Sequence, residues 1–222
     1  MVAGGSGRRF GARKQFLKLG DRPVAAWSVE AARSVANGVV VVVPADAPGG
    51  PGDTQAPDHV RDQGTDLGAD VTVVGGPSRA DSVRAGLAAV PEDAAIIVVH
   101  DAARPLAGAD LFAAVVAAAE VDGTDGVIPV LPVSDTLKRT SKGVVLSTVD
   151  RDGLVTVQTP QAFDARALRA AHRSGGDATD DAGLLEAVGA TVRTVPGDPR
   201  NLKITRPEDL DLAEALMRAV PR

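Results

Sequence analysis

A chain of 222 residues is long enough to bury a full core in a single domain, 1–222. Its net charge of -5, with only 2% aromatic residues, excludes a broadly basic, base-stacking nucleic-acid surface; the lack of cysteine excludes disulfides, thiolate catalysis and zinc–thiolate sites. No apolar run reaches membrane-spanning length and no signal-peptide pattern is present, so a soluble cytoplasmic protein binding neither nucleic acid nor membrane is expected.

The chain opens on Gly4-Gly5-Ser6-Gly7-Arg8-Arg9, with Lys14-Gln15 close behind. Glycines let backbone N–H groups approach phosphate without a Cβ in the way, and clustered arginine and lysine add positive charge to the same oxygens. Taken alone, the loop also reads as a solvated basic tail. Next come Val24–Val35 as a helix, Val39–Val43 as a buried strand, and Ala45–Asp70 as a long Pro/Gly/Asp-rich loop. Val71–Val74, Ile96–Val99 and Gly126–Val130 read as further strands covered on both faces. Arg79–Ala89, with Ser78 as cap and Asp81 three residues on, and Asp110–Glu120 read as the helices between them. This alternation predicts a doubly wound, mostly parallel, Rossmann-like α/β sheet with ligands at the carboxyl ends of its strands. Asp135–Arg139 and Val144–Val149 around Thr140–Gly143 break the alternation as a hairpin, an arm of about 133–153 that needs something to pack on. A strand expected over Asn201–Thr205 and a capping box at Thr205-Arg206-Pro207-Glu208 lead into a last helix ending near Met217.

Candidate chemistry falls at strand ends. Asp101, after Ile96–Val99, either holds Mg²⁺ at the mouth of the sheet or caps the next turn and pairs with Arg104. His100 reads as a packed, hydrogen-bonded residue. Gly75–Arg79 either faces a nucleotide or is an ordinary strand–helix turn. Thr179-Asp180-Asp181 reads as a helix start, and Asp150–Gly153 as a turn closing the hairpin. Lys203, in an apolar stretch, favours a site over a solvated face.

In this order, AGGSGRRF (3–10), KQFLKLGDRPV (14–24), GGPSRADSVRAGL (75–87), VVHDAARP (98–105), VSDTLKR (133–139), TVDRDGL (148–154), QTPQAF (158–163), ATDDAGLLEAVG (178–189) and NLKITRPEDL (201–210) resemble one family. It is the 2-C-methyl-D-erythritol 4-phosphate cytidylyltransferases of the non-mevalonate isoprenoid pathway, a nucleotidyltransferase class. The resemblance implies transfer of CMP from CTP to the polyol phosphate with release of pyrophosphate and with Mg²⁺ as cofactor. It implies that Arg9, Lys14 and Lys203 grip the phosphates and that Asp101 binds the metal. Ala3, Gly4, Gly5, Gly7, Gly76, Pro77, Ser82 and Ala102 match the nucleotide pocket. Thr136, Arg151, Thr159 and Thr179 match substrate contacts, the first two on hairpin arms interlocked in a homodimer.

The pattern departs from the family at several points. Val2 and Gly4 replace the usual proline and alanine, Arg13 replaces a proline, and Arg200 stands near an often acidic position. Only Met1-Val2 precede Ala3, so the central first strand is expected to be missing and an upstream extension to be needed for full stability and activity. A ribitol-5-phosphate cytidylyltransferase shares the CTP residues, and an inactive nucleotide-binding remnant is the reading from another class.

Overall fold

In the computed structural model, residues 1–4, 10, 13–45, 47, 67–176 and 178–219 are described. Gly5, Gly7 and Arg9 lie outside the described residues, as does most of the predicted loop 45–70. The first half carries a 3-10 turn at Lys14–Phe16, then β1 (Lys18–Leu19), β2 (Arg22–Pro23), α1 (Val24–Arg33), β3 (Val40–Val43), β4 (Val71–Val74), α2 (Arg79–Ala89), β5 (Ile96–Val99) and α3 (Ala109–Ala119). The second half carries β6 (Gly126–Pro132), β7 (Leu137–Ser141), β8 (Val144–Val149), β9 (Val155–Val157), β10 (Gln161–Asp164), α4 (Ala165–Arg173), α5 (Asp181–Ala187), β11 (Val192–Pro196) and α6 (Glu208–Arg218).

The central sheet has two parts. β3 pairs in parallel with β4, while β5, β10, β6 and β11 follow in that order. β10 runs antiparallel to β5 and β6; β11 runs parallel to β6. Val2 joins the parts, bridging in parallel to Val42 on one side and Asp101 on the other. Four backbone hydrogen bonds make the junction: Ala3 N to Val42 O (2.8 Å), Val42 N to Met1 O (2.9 Å), Val2 N to His100 O (2.8 Å) and Ala102 N to Val2 O (3.0 Å). The slot expected to be open is therefore filled at the carboxyl end of the sheet by Met1–Ala3.

Strand residues alternate between two apolar layers, as a pleat with period two requires. Val41 and Val43 pack with Val29 of α1 and Phe112 of α3. Ile97, Val99 and Phe163 pack with Val83 and Leu87 of α2, Leu168 of α4 and Leu185 of α5. Each such fully buried side chain contributes roughly 1.5–3 kcal/mol. β4 differs from its expected double burial. It is the outer strand of its pair, and Val71 is 42% exposed.

Ser78 and Asp81 form the predicted capping box at α2. At the last helix the acid that caps is Asp209, in place of Glu208: its Oδ2 accepts from Thr205 N (2.7 Å) and Arg206 N (2.8 Å). Residues 201–205 are an irregular segment, where a strand was expected. They are tied down by Ile204 N donating to Ala103 O at 2.8 Å and by the fully buried Ile204 side chain. The hairpin forms as β7–β8 over a tight turn, with Lys142 (φ 47°) and Gly143 (φ 81°) both left-handed, the geometry that matches strand twist. Its Val144, Val145 and Leu146 are each about 60% exposed.

His100 is buried as predicted and locks the end of β5 to the start of β10. Its Nε2 faces Arg104 O at 3.2 Å, and a carbonyl only accepts, so the proton sits on Nε2. Nδ1 then accepts from Thr159 Oγ1 (3.1 Å), which itself accepts from Asp101 N (3.0 Å). Burial lowers the imidazole pKa to about 3 from 6.5. Between those values the unfolded chain binds the extra proton, so stability is complete above pH 6.5 and falls with pH towards 3. Going from pH 7 to 5.5, this one group should cost about 1 kcal/mol of unfolding free energy. Urea unfolding of the parent and of His100→Gln at both pH values checks this: the variant should lose about 1 kcal/mol less on acidification, and equal losses would place the acid sensitivity elsewhere.

Candidate functional site

A cleft of about 370 Å³ opens at the carboxyl ends of the central strands. Its lining comes from Val2, Ala3 and Gly4, from Phe10, Lys14 and Gln15, from the segments that follow β4 and β5, and from Lys203 and Thr205. Of the predicted nucleotide residues, Ala3, Gly4, Gly76, Pro77, Ser82 and Ala102 line it. Lys14, Asp101 and Lys203 line it too.

The glycines here are demanded by close packing. A Cβ on Gly76 would fall 2.3 Å from Asp81 Cβ, and one on Gly4 would meet Ser82 Oγ at 3.0 Å. Ser82 is buried and donates to Ser78 O at 3.0 Å, so the first turn of α2 presses against both Gly4 and Gly76. Lys14 is held by its neighbour: the buried Gln15 donates from Nε2 to Ala3 O at 2.6 Å. That bond couples the 3-10 turn to the Ala3 strand end.

Lys203 reaches the cleft from the 201–205 segment, which hangs on a buried amide cluster. Asn201 Nδ2 donates to Thr159 O at 2.8 Å, Gln158 Nε2 donates to Asp198 O at 2.9 Å, and Arg104 Nη1 donates to Asn201 O at 2.7 Å. Arg104 is thus spent on the chain that carries Lys203, and the alternative pairing of Asp101 with Arg104 does not form. Asp101 instead meets Lys203 Nζ at 2.5 Å and Arg79 Nε at 3.7 Å. Burial disfavours its charge, but Lys203 and Arg79 outweigh that and hold its carboxyl below the usual carboxylate range.

Other predicted residues are not brought to this cleft. Thr159 is buried beneath it, accepting from the Asp101 amide. Thr136, Arg151 and Thr179 are exposed and line no part of it. Arg151 donates to the carbonyls of Ser134 and Val133, closing the base of the hairpin. Sequence reasoning named Gln15 and Arg79 only as members of their motifs, with no role for either side chain, and did not place Thr205 at the cleft that all three line. Arg79 reads in sequence as the first residue of a helix, and nothing local tells that its guanidinium turns towards two distant carboxylates.

Known proteins agree with this geometry. The pattern of the family "IspD: 2-C-methyl-D-erythritol 4-phosphate cytidylyltransferase" matches residues 1–219. The chain is 45% identical to the 2-C-methyl-D-erythritol 4-phosphate cytidylyltransferase of Frankia casuarinae, over 97% of this chain and 79% of that protein. It is 46% identical to the "Bifunctional enzyme IspD/IspF" of Anaeromyxobacter dehalogenans, covering 99% of this chain but only 56% of that protein's length. Among solved structures, the 2-C-methyl-D-erythritol 4-phosphate cytidylyltransferase of Thermus thermophilus superposes with a TM-score of 0.79 at 37% identity, over 98% of this chain and 96% of its own. The fold, the cleft and these likenesses lead to one conclusion: the chain belongs to the IspD family of 2-C-methyl-D-erythritol 4-phosphate cytidylyltransferases.

Proposed function

We propose that this chain transfers a cytidylyl group from CTP to the phosphate of 2-C-methyl-D-erythritol 4-phosphate, in isoprenoid precursor synthesis. The observation that supports this best is the meeting of Lys14, Lys203 and Asp101 with Gly4 and Gly76 in one cleft. An oxygen of the acceptor phosphate attacks the α-phosphorus of CTP. The bond from that phosphorus to the bridging oxygen breaks, and the oxygen leaves on pyrophosphate. The protein's task is to place two anions in line and to compensate their charge. Lys14 and Lys203 supply the positive charge, and the close-packed backbone at Gly4 and Gly76 comes up to the nucleotide. Arg9, adjoining this loop in sequence, adds to the same charge in this reading.

Asp101 suits Mg²⁺ in a particular way. It is the single carboxylate among the described residues lining the cleft, and no group of three metal-type side chains occurs among the described residues. Magnesium is commonly held by one or two carboxylates with substrate phosphates completing its shell. Asp101 would therefore hold an ion that arrives with the triphosphate and, when bound, neutralises part of its charge.

The active unit in this reading is a cytoplasmic homodimer in which residues 1–222 of each chain form a cytidylyltransferase domain. The hairpin leaves Val144, Val145 and Leu146 exposed, while Thr136 and Arg151 stand away from their own cleft. A two-fold pair in which each arm serves the neighbour's cleft accounts for both. No helix among the described residues is long and apolar enough to cross a membrane.

Lys14→Ala and Lys203→Ala should each lower pyrophosphate release by roughly 10²-fold, the usual loss for one preorganised donor. Turnover within a few-fold of the parent would overturn the assignment. Running the assay with ribitol 5-phosphate beside methylerythritol phosphate decides the acceptor; a preference for ribitol 5-phosphate would replace it. The dimer is checked by mixing Arg151→Ala chains with Lys14→Ala chains. One cleft of each mixed pair carries neither lesion, so part of the activity should return. If subunits exchange and none returns, Arg151 does not serve a neighbour's cleft.

A further inference from the structure

The proposed reaction sets a charge problem at Asp101. The residue is 8% exposed, and its contact with Lys203 is the shorter of its two cation contacts, at 2.5 Å against 3.7 Å for Arg79. Lys203 is also the lysine assigned to the nucleotide phosphate. One ammonium cannot stay in full contact with Asp101 and also follow charge building on phosphorus. Once it leaves, the ion that Asp101 would hold offsets the carboxylate's charge, but the orientation of the carboxylate still needs a fixed contact from the protein.

Arg79 is built to supply that. Its Nη2 lies 2.8 Å from Asp181 Oδ2, and its Nε turns towards Asp101 Oδ1. Asp181 is fully buried at the start of α5 and does not line the cleft. Its Oδ1 accepts from His172 Nε2 at 2.9 Å, and His172, on α4, is itself buried. The guanidinium is thus paired from behind with a buried carboxylate that lies outside the cleft lining. The Arg79 side chain is 26% exposed, against 43% for Lys203.

We propose that Arg79 is a positioning residue, anchored by the buried Asp181–His172 pair, that holds Asp101 in its metal-binding orientation while Lys203 transfers to the nucleotide phosphate. This rests on the function proposed above. Asp101 is the group that meets the ion, and Arg79 and Asp181 act through it. The arrangement also explains why a fully buried aspartate lies behind the cleft. Without Asp181, the guanidinium could turn to the triphosphate and leave Asp101 to Lys203 alone.

The test uses Arg79→Gln, Arg79→Lys and Asp181→Asn in the full chain. Each is followed by magnesium titration of pyrophosphate release and, separately, by calorimetry of CTP binding at increasing Mg²⁺. Loss of a group that orients a metal ligand typically costs 10–100-fold in metal affinity or activity, so about a tenfold rise in half-saturating Mg²⁺ is expected for Arg79→Gln. Asp181→Asn should shift in the same direction, and Arg79→Lys should recover part of the loss. KM for the polyol phosphate should stay near the parent value. Parent-like magnesium dependence in Arg79→Gln, with only a lower thermal midpoint, would overturn the proposal and make the network structural. If Asp181→Asn fails to fold, the two Arg79 variants decide. A parent chain that releases no pyrophosphate would overturn the proposed reaction instead. The calorimetric magnesium dependence then judges Arg79 without turnover: unchanged in Arg79→Gln, it sinks the proposal; shifted, it supports it.

Discussion

Four backbone hydrogen bonds around Val2 hold this structure together where it matters. A parallel sheet buried on both faces has no water to satisfy an open backbone slot, so the two neighbours of that slot must share a strand or separate. Val2 pairs with Val42 on one side and with the His100–Ala102 segment on the other. That pairing sets Ala3 and Gly4 in the same cleft as the segment after β5. Close by, Gln15 reaches Ala3 O and Gly4 lies against Ser82.

Around Asp101 the governing constraint is desolvation. A carboxylate with so little exposure keeps its charge only beside cations, and the fold brings two from far apart in sequence. Lys203 arrives on a segment hung from Asn201, Gln158 and Arg104; Arg79 arrives on the first turn of α2. His100 and Thr159 fix the same aspartate from below through its amide. Their chain of hydrogen bonds runs in one direction, ending on a carbonyl, which leaves the imidazole neutral and inert. The acidic residue that faces the cleft is therefore held through its amide by Thr159 and His100, and through its carboxylate by Lys203 and Arg79.

The hairpin shows the opposite economy. Its turn is well determined, by Lys142 and Gly143 in left-handed geometry, and its base is closed by Arg151 on the carbonyls of residues 133 and 134. Its valines remain in water. An element so regular locally and so little covered obtains its register from its turn and from cross-strand pairing, whatever surface it later meets.

Much of the architecture was legible in the sequence because it depends on local patterns. Unbroken apolar runs marked β3, β5 and β6, and Ser78 with Asp81 marked the start of α2, since a capping box needs only four neighbouring residues. Gly4, Gly76, Lys14, Asp101 and Lys203, which line one cleft, were each singled out by their motifs and the family resemblance. Tertiary structure decided the rest, because it concerns contacts between segments many residues apart. It put β4 at an edge, gave the cap of the last helix to Asp209, and turned the 201–205 segment into an irregular tether. It also chose the partners of Asp101. In sequence Arg104 is the nearest cation, three residues away, yet the carboxylate pairs with Lys203 and Arg79, because the fold directs Arg104 to the Asn201 carbonyl and the other two into the cleft. Local spacing can announce which residues carry charge; only the packing of the strands determines which charges meet.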